Sequence, residues 1–212
     1  MDNTCVSEVV APDTEALKIK LRELVRYASM SRLKIHTACP AVETREMDAG
    51  FRPGKMLATH MVLILVSGDA LRLTFKVHFN IRTAKNLALR IYGGKTSAAI
   101  SERQAIDYFK EYGNLVAGSV ISLLSESTIE LGISLPLCTR GFYEVFADYA
   151  EKQQPVVSYA DFWELLAVGG GVYCSAQFDL LDRTGLEPLV DYVIAEEVIK
   201  GAAEEDEELD FL

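Results

Sequence analysis

Cysteine is sparse and scattered in this chain. Cys5, Cys39, Cys138 and Cys174 form no C-x-x-C pair, so neither a zinc site nor a disulfide framework is suggested, and reduced, mostly buried thiols are the expectation. Histidine is as scarce: His36, His60 and His78 lie far apart in strand-like contexts, with no serine nucleophile motif beside them, and read as structural or surface residues. No run reaches the roughly 18 consecutive apolar residues of a membrane span, and Met1-Asp2-Asn3-Thr4 lacks the basic start of a signal peptide, so a cytoplasmic protein is expected. Positive charge is also short. With 21 Lys and Arg against 31 Asp and Glu, the net charge of -10 argues against nucleic acid or an anionic membrane as the main partner.

What is present is apolar material for a core. At 212 residues and 50% hydrophobic, the chain suffices for one substantial domain, or one built from two similar halves. Pro12-Asp13-Thr14-Glu15 resembles a helix start, and Leu17, Leu21, Leu24, Val25 and Ala28 recur at helical spacing, which predicts a helix over about 14–30. Residues 33–66 contain strand-like runs, notably Met56 to Val66, around a turn-rich loop from Glu43 to Gly54, and Ser67-Gly68-Asp69 reads as a hairpin turn. Leu71 to Phe79 alternates apolar and polar residues as a strand with one buried face. A helix over about Thr83 to Tyr92 closes on Gly93-Gly94. Ser101-Glu102-Arg103-Gln104 then offers a capping box for a long helix.

Further along, Ile129 to Cys138, Gly141 to Phe146 and Gly171 to Leu180 read as strands. Between them Asp148 to Gly170 reads as an insertion with a short helix around Ala160 to Ala167. Trp163 and Phe162 there suggest either a partner anchor or a small satellite core, with burial preferred. The order predicts an α+β fold, a mainly antiparallel sheet with helices on one face. Residues 1–13 form a leader, 14–190 the domain (148–170 inserted), and 191–212 a C-terminal segment ending in an acidic tail.

Two glycine clusters are set aside. Gly93-Gly94-Lys95-Thr96-Ser97 ends like a phosphate-binding loop, but Leu89 replaces the required earlier glycine and a helix, not a strand, precedes it. Gly169-Gly170-Gly171 lacks dinucleotide spacing and reads as a turn leading into a strand.

The long helix carries the feature with chemical content. At ~100° per residue, Asp107, Glu111, Asn114, Gly118, Ser122 and Ser125 share a narrow stripe, while Ile106, Phe109, Val116, Val120, Leu123 and Leu124 crowd the opposite side. On an exposed face, a carboxamide can accept a hydrogen bond from water through its oxygen, donate through its nitrogen, and stay neutral. Glu and Asn on a solvated helix are otherwise ordinary. Gly118 suits either close packing of helix on sheet or close approach of a partner.

Taken in order, these segments resemble the CheX branch of the CheC-like chemotaxis phosphatases, which act on phosphorylated CheY-type response regulators. The resemblance runs from the first helix to Asp182. It rests on the strand Gly68 to Phe79, the helix closing with Gly93-Gly94, Glu111-x-x-Asn114-x-x-x-Gly118, the segment Ile129 to Gly141 containing Pro136, and the strand Gly171 to Leu180. It implies a pseudo-symmetric domain whose halves each supply a long helix. It assigns catalysis to Glu111, which docks a partner lysine, and to Asn114, which orients water; Asp107, Gly118 and Ser122 fall to partner binding. The implied partner is a phosphorylated CheY-like receiver that brings its own Mg2+, so this chain needs no cofactor or metal ligand. A homodimer formed through the sheet is also implied. The first helix offers Glu23-Leu24-Val25-Arg26, with arginine where asparagine is needed, so one site per chain is expected. The alternative function is a noncatalytic receiver-binding or scaffold module with the same fold. The tail ending Leu209-Asp210-Phe211-Leu212 looks like the C-terminal peptide by which the unrelated phosphatase CheZ tethers CheY, although a solubilising tail is the preferred reading.

Overall fold

The computed structural model describes residues 13–47, 58–93, 95–140 and 154–194. Asp13 caps the first helix, α1 (Thr14–His36), its side chain accepting from the Glu15 N–H at 3.1 Å. The helix outruns its expected end near 30 because its last turns have tertiary partners. Arg32 and Leu33 are buried, and His36 is helical rather than in a strand. A short strand β1 (Glu43–Glu46) follows, then the hairpin β2 (His60–Ser67) and β3 (Leu71–Phe79), turning where Ser67-Gly68-Asp69 predicts. Helix α2 (Ile81–Tyr92) ends on Gly93 at φ 66°, a left-handed cap that favours glycine. Helix α3 (Glu102–Ser125) starts in the expected capping box: Ser101 Oγ accepts from the Gln104 N–H, and Gln104 Oε1 from the Ser101 N–H. Strands β4 (Gly132–Ile133), β5 (Leu137–Arg140), β6 (Val157–Ala167) and β7 (Gly170–Leu180) complete the order.

All strand pairings are antiparallel, in the order β1-β6-β7-β3-β2-β4, with β5 also on β2. Two similar halves meet at the β7–β3 seam: the hairpin β6–β7 mirrors the hairpin β2–β3. The short strand after each long helix crosses over, β1 onto β6 and β5 onto β2, so each half supplies the edge of the other. Helices α1 and α3 lie side by side on one face, α1 over β6 and β1, α3 over β2 and β3.

The segment expected as an insertion with a short helix is corrected here. Residues Val157–Ala167 are a strand paired on both sides, to β1 and β7, and belong to the body of the sheet. Ala160, Leu165, Leu166 and Ala167 give this strand a helix-forming composition, but sheet pairing and alternate burial outweigh that preference. Trp163 is therefore a member of the main core, not a satellite: fully buried, 6.2 Å from the Phe75 ring, with its Nε1 donating to Ser29 Oγ at 3.1 Å. The turn at Gly169 and Gly170 adopts positive φ as the β6–β7 hairpin requires. Among the described cysteines all are free, Cys39 and Cys174 buried and Cys138 half-buried. The strand expected at Gly141 to Phe146, the leader to residue 12 and the acidic tail lie outside the described residues.

The other sheet face holds buried polar groups, among them Lys76 and His78 on β3 and Ser175 on β7. His78 Nε2 lies 3.1 Å from Ser175 Oγ. Burial, and after it the nearby Lys76 charge, lower the His78 pKa to about 4.

Two predictions follow from this packing. Truncating Trp163→Ala removes the central aromatic of the core and should destabilise the fold by about 3–5 kcal/mol in urea denaturation. Between pH 4 and 6.5 the unfolded chain binds a proton at His78 that the folded chain refuses. Stability should therefore hold above pH 7 and fall towards pH 4, with His78 supplying up to about 3 kcal/mol of the loss. His36, also lowered by burial, acts with the same sign. Equilibrium unfolding across that pH range, with His78→Gln flattening the curve, checks this.

Candidate functional site

The inward face of α3 determines where its outward face points. Tyr108, Phe109, Tyr112, Val116, Val120, Leu123 and Leu124 are buried, with Phe109 stacked on Phe79 at 4.1 Å and Tyr112 edge-on to Phe75 at 6.3 Å. A polar seam fixes α3 against α1. The Tyr112 hydroxyl donates to the Ser29 carbonyl at 2.9 Å, Arg32 Nε donates to Ser119 Oγ at 2.5 Å, and the His36 ring stacks on Tyr108 at 4.2 Å. Burial pushes the hydroxyl pKa of Tyr108 and Tyr112 up, so both remain protonated.

Opposite this face the expected stripe is on the surface: Asp107, Glu111, Gly118 and Ser125 are exposed, Asn114 and Ser122 half-buried. Asp107 pairs with Arg103 at 3.6 Å, an exposed helix pair of small energetic weight. Glu111 and Asn114 have no hydrogen bond or ion pair with any described side chain. Among the described residues, the fold places no partner on either group. At the start of the helix, Glu102 is held by Arg140 of β5 and lies 3.6 Å from His60 Nε2.

The two glycines of α3 differ in cause. A Cβ at Gly113 would sit 3.3 Å from Val62 Cγ1, so this glycine lets α3 approach β2. A Cβ at Gly118 meets nothing within 4 Å. Among the described residues, then, close packing does not account for Gly118. An exposed glycine inside a helix costs about 1 kcal/mol relative to alanine, and no contact in the described fold requires it.

The corresponding turn of α1 is occupied differently. Arg26 points onto β6, its Nε 2.7 Å from Asp161 Oδ2 and its Nη2 2.8 Å from Asp161 Oδ1, while Nη1 lies 2.5 Å from Glu46 Oε1 of β1. Arg22 adds its Nε 4.0 Å from Asp161 and lies over the Tyr159 ring. Burial works against the Arg26 charge, yet the bonds to Asp161 and Glu46 raise its pKa. The shallow groove there, lined by Ile19, Arg22, Glu23, Arg26 and Glu46, offers no carboxamide. Asp161 and Glu46 have no local sequence signal, because they meet Arg26 only through the sheet. Among the described residues no three His, Cys, Asp or Glu side chains are grouped as metal ligands, and no helix is long and apolar enough to cross a membrane.

No protein-family model and no curated protein matches the chain. Solved structures do. The chemotaxis protein CheX of Vibrio vulnificus superposes with a TM-score of 0.56 at 16% identity, over 75% of this chain and 96% of that one. The fold is the CheC/CheX fold. A chemotactic CheC-like protein of Shewanella oneidensis matches at TM-score 0.57 and 13% identity, over 76% of this chain and 99% of that one. CheX of Borrelia burgdorferi, solved in a complex with CheY, BeF3 and Mg2+, gives 0.57 at 15% identity, over 74% of this chain and 97% of its own. In this CheX-like fold the long helices lie together on one face of the sheet, and of the two only the second carries a Glu-x-x-Asn, which has no partner among the described residues.

The Arg26 clamp makes its own prediction. Arg26→Ala leaves the mostly buried Asp161 carboxylate without its main partner and should cost about 1–3 kcal/mol, the buried-pair penalty reduced for partial exposure. Arg26→Leu combined with Asp161→Leu should cost less than either single change in urea unfolding, because no orphaned charge remains.

Proposed function

We propose that this chain is a cytoplasmic phosphatase that hydrolyses the aspartyl phosphate of a CheY-like response regulator, with α3 as the catalytic face. The observation that carries this reading is the uncommitted pair Glu111 and Asn114 on the outward side of α3 in a CheC/CheX fold. The Borrelia neighbour, captured with CheY, BeF3 and Mg2+, supports the choice of partner.

An aspartyl phosphate is an acyl phosphate. Its hydrolysis needs a water oxygen placed in line with the leaving carboxylate oxygen. The new P–O bond forms as the P–O bond to the carboxylate breaks, and the water's protons pass to inorganic phosphate and solvent. Positioning dominates such a reaction. Asn114 accepts from the attacking water through its carboxamide oxygen while its nitrogen donates towards the phosphoryl group. Glu111, one turn earlier, forms a charge-assisted contact with a lysine of the receiver's phosphoacceptor pocket and sets the depth at which Asn114 enters. Asp107 and Ser122 lie at the ends of the docked surface. The receiver supplies the Mg2+ ion, whose charge is neutralised there and not by ligands of this chain. The engagement of Arg26 in the first helix supports one site per chain, and pairing through the sheet gives a homodimer with two sites.

Decay of the phosphorylated receiver from the same organism tests the reading. The native chain should shorten the phosphate lifetime, Asn114→Ala should lower the catalysed rate by about 100-fold, and Glu111→Ala should raise the half-saturating receiver concentration. Equal decay with native chain and Asn114→Ala overturns catalysis. Tight receiver binding with an unchanged lifetime would identify a noncatalytic docking module instead.

A further inference from the structure

Resting on the phosphatase reading, we infer that Gly118 is a positioning residue: it keeps the Asn114 carboxamide uncovered and lets the backbone of the receiver come within contact distance of α3. Three observations converge on it. Gly118 is exposed in the interior of a 24-residue helix, a place where glycine weakens the helix. No part of the described fold fills the space a Cβ would take, whereas the other glycine of the same helix, Gly113, is accounted for by Val62. Its place on the stripe is four residues after Asn114.

That spacing matters because of the direction of helical side chains. Each Cα–Cβ bond tilts towards the helix N-terminus, so the surface covered by a side chain lies over the preceding turn. A side chain at 118 therefore leans back over Asn114, and a branched one closes the approach to its carboxamide. Asn114 is already half-buried among its own neighbours. The turn after it is the side from which further covering would come. With glycine there, the surface past Asn114 is bare backbone, flanked one turn later by the small Ser122.

A bare turn also changes what can dock. Where neither helix presents a side chain, or where a loop meets a helix at glycine, backbones approach more closely than side chains otherwise permit. Asn114 must reach a phosphoryl group seated in a pocket of the receiver, and every ångström by which α3 is held away is lost from that reach. Glycine at 118 serves both needs at one position: it exposes the reacting group and lowers the helix onto its target.

The two substitutions that separate these effects are Gly118→Ala and Gly118→Leu. The alanine variant meets open space and gains helix propensity, so its Tm should rise by about 2–4 °C. Its half-saturating concentration for the receiver should meanwhile rise by about fivefold, through loss of close approach. The leucine variant, folded by circular dichroism and melting, should lose about 100-fold in catalysed rate, because the side chain covers Asn114. Affinity for the beryllofluoride-loaded receiver should fall in the same order, native above alanine above leucine. A leucine variant with native rate and native half-saturation overturns the inference, as does an alanine variant that melts below the native chain, which would reveal an internal role for the glycine. These failures differ from failure of the phosphatase reading. In that case the native chain itself leaves the receiver's phosphate lifetime unchanged and does not bind it, and the inference falls with it.

Discussion

The orientation of α3 depends on Tyr112. Its ring packs edge-on to Phe75 in the core, and its hydroxyl reaches across to donate to the Ser29 carbonyl of α1. An unmet hydroxyl in that position would carry a desolvation penalty, so rotation of α3 about its axis is opposed by both an apolar and a polar contact. Glu111 immediately precedes Tyr112 and Asn114 follows two residues later. Whatever holds Tyr112 inward holds these two outward, and the geometry of the site is a consequence of core packing.

The two long helices show how one architecture sustains different chemistry at equivalent places. In α3, Glu111 and Asn114 of the exposed turn have no hydrogen-bond or ion-pair partner among the described residues. In α1 the corresponding arginine is consumed by Asp161 and Glu46, which belong to β6 and β1, the strands beneath that half. A guanidinium has only donors and holds its charge, so it cannot accept a hydrogen bond from water as a carboxamide can. The arginine at this position ties α1 to the sheet.

Much of this was legible in the sequence because local signals and tertiary structure agree. The capping box at Ser101 and Gln104, the glycine after Tyr92 and the polar stripe of α3 each have a cause within one or two turns; the alternation of Leu71 to Phe79 marks a strand, but both its faces are buried where one was expected to be. The reading failed where the cause was distant. Strand β6 mixes the β-favouring Val157, Tyr159, Phe162 and Trp163 with Ala and Leu, and pairing with two strand neighbours decides the balance. The last turns of α1 are secured by Ser119 and Tyr108, some 80 residues away in sequence order on the other helix, as Arg32 and His36 contact them. Asp161 was invisible as a partner for Arg26 for the same reason. Gly118 is the converse case: its residue type was apparent, but its surroundings were not, and among the described residues nothing occupies the space above it.

The crossing of β1 onto β6 and of β5 onto β2 bears on how the chain reaches this state. Neither half can complete its own sheet, since the edge strand of each hairpin arrives from the other side of the seam. The pairing of β1 with β6 joins segments more than a hundred residues apart, and closing such a loop costs entropy before any contact rewards it. The two halves, although alike in outline, are therefore not separable folding units. During synthesis, the first long helix and its hairpin emerge with an unfinished edge, and they must await the second half before either long helix has a completed sheet to rest on.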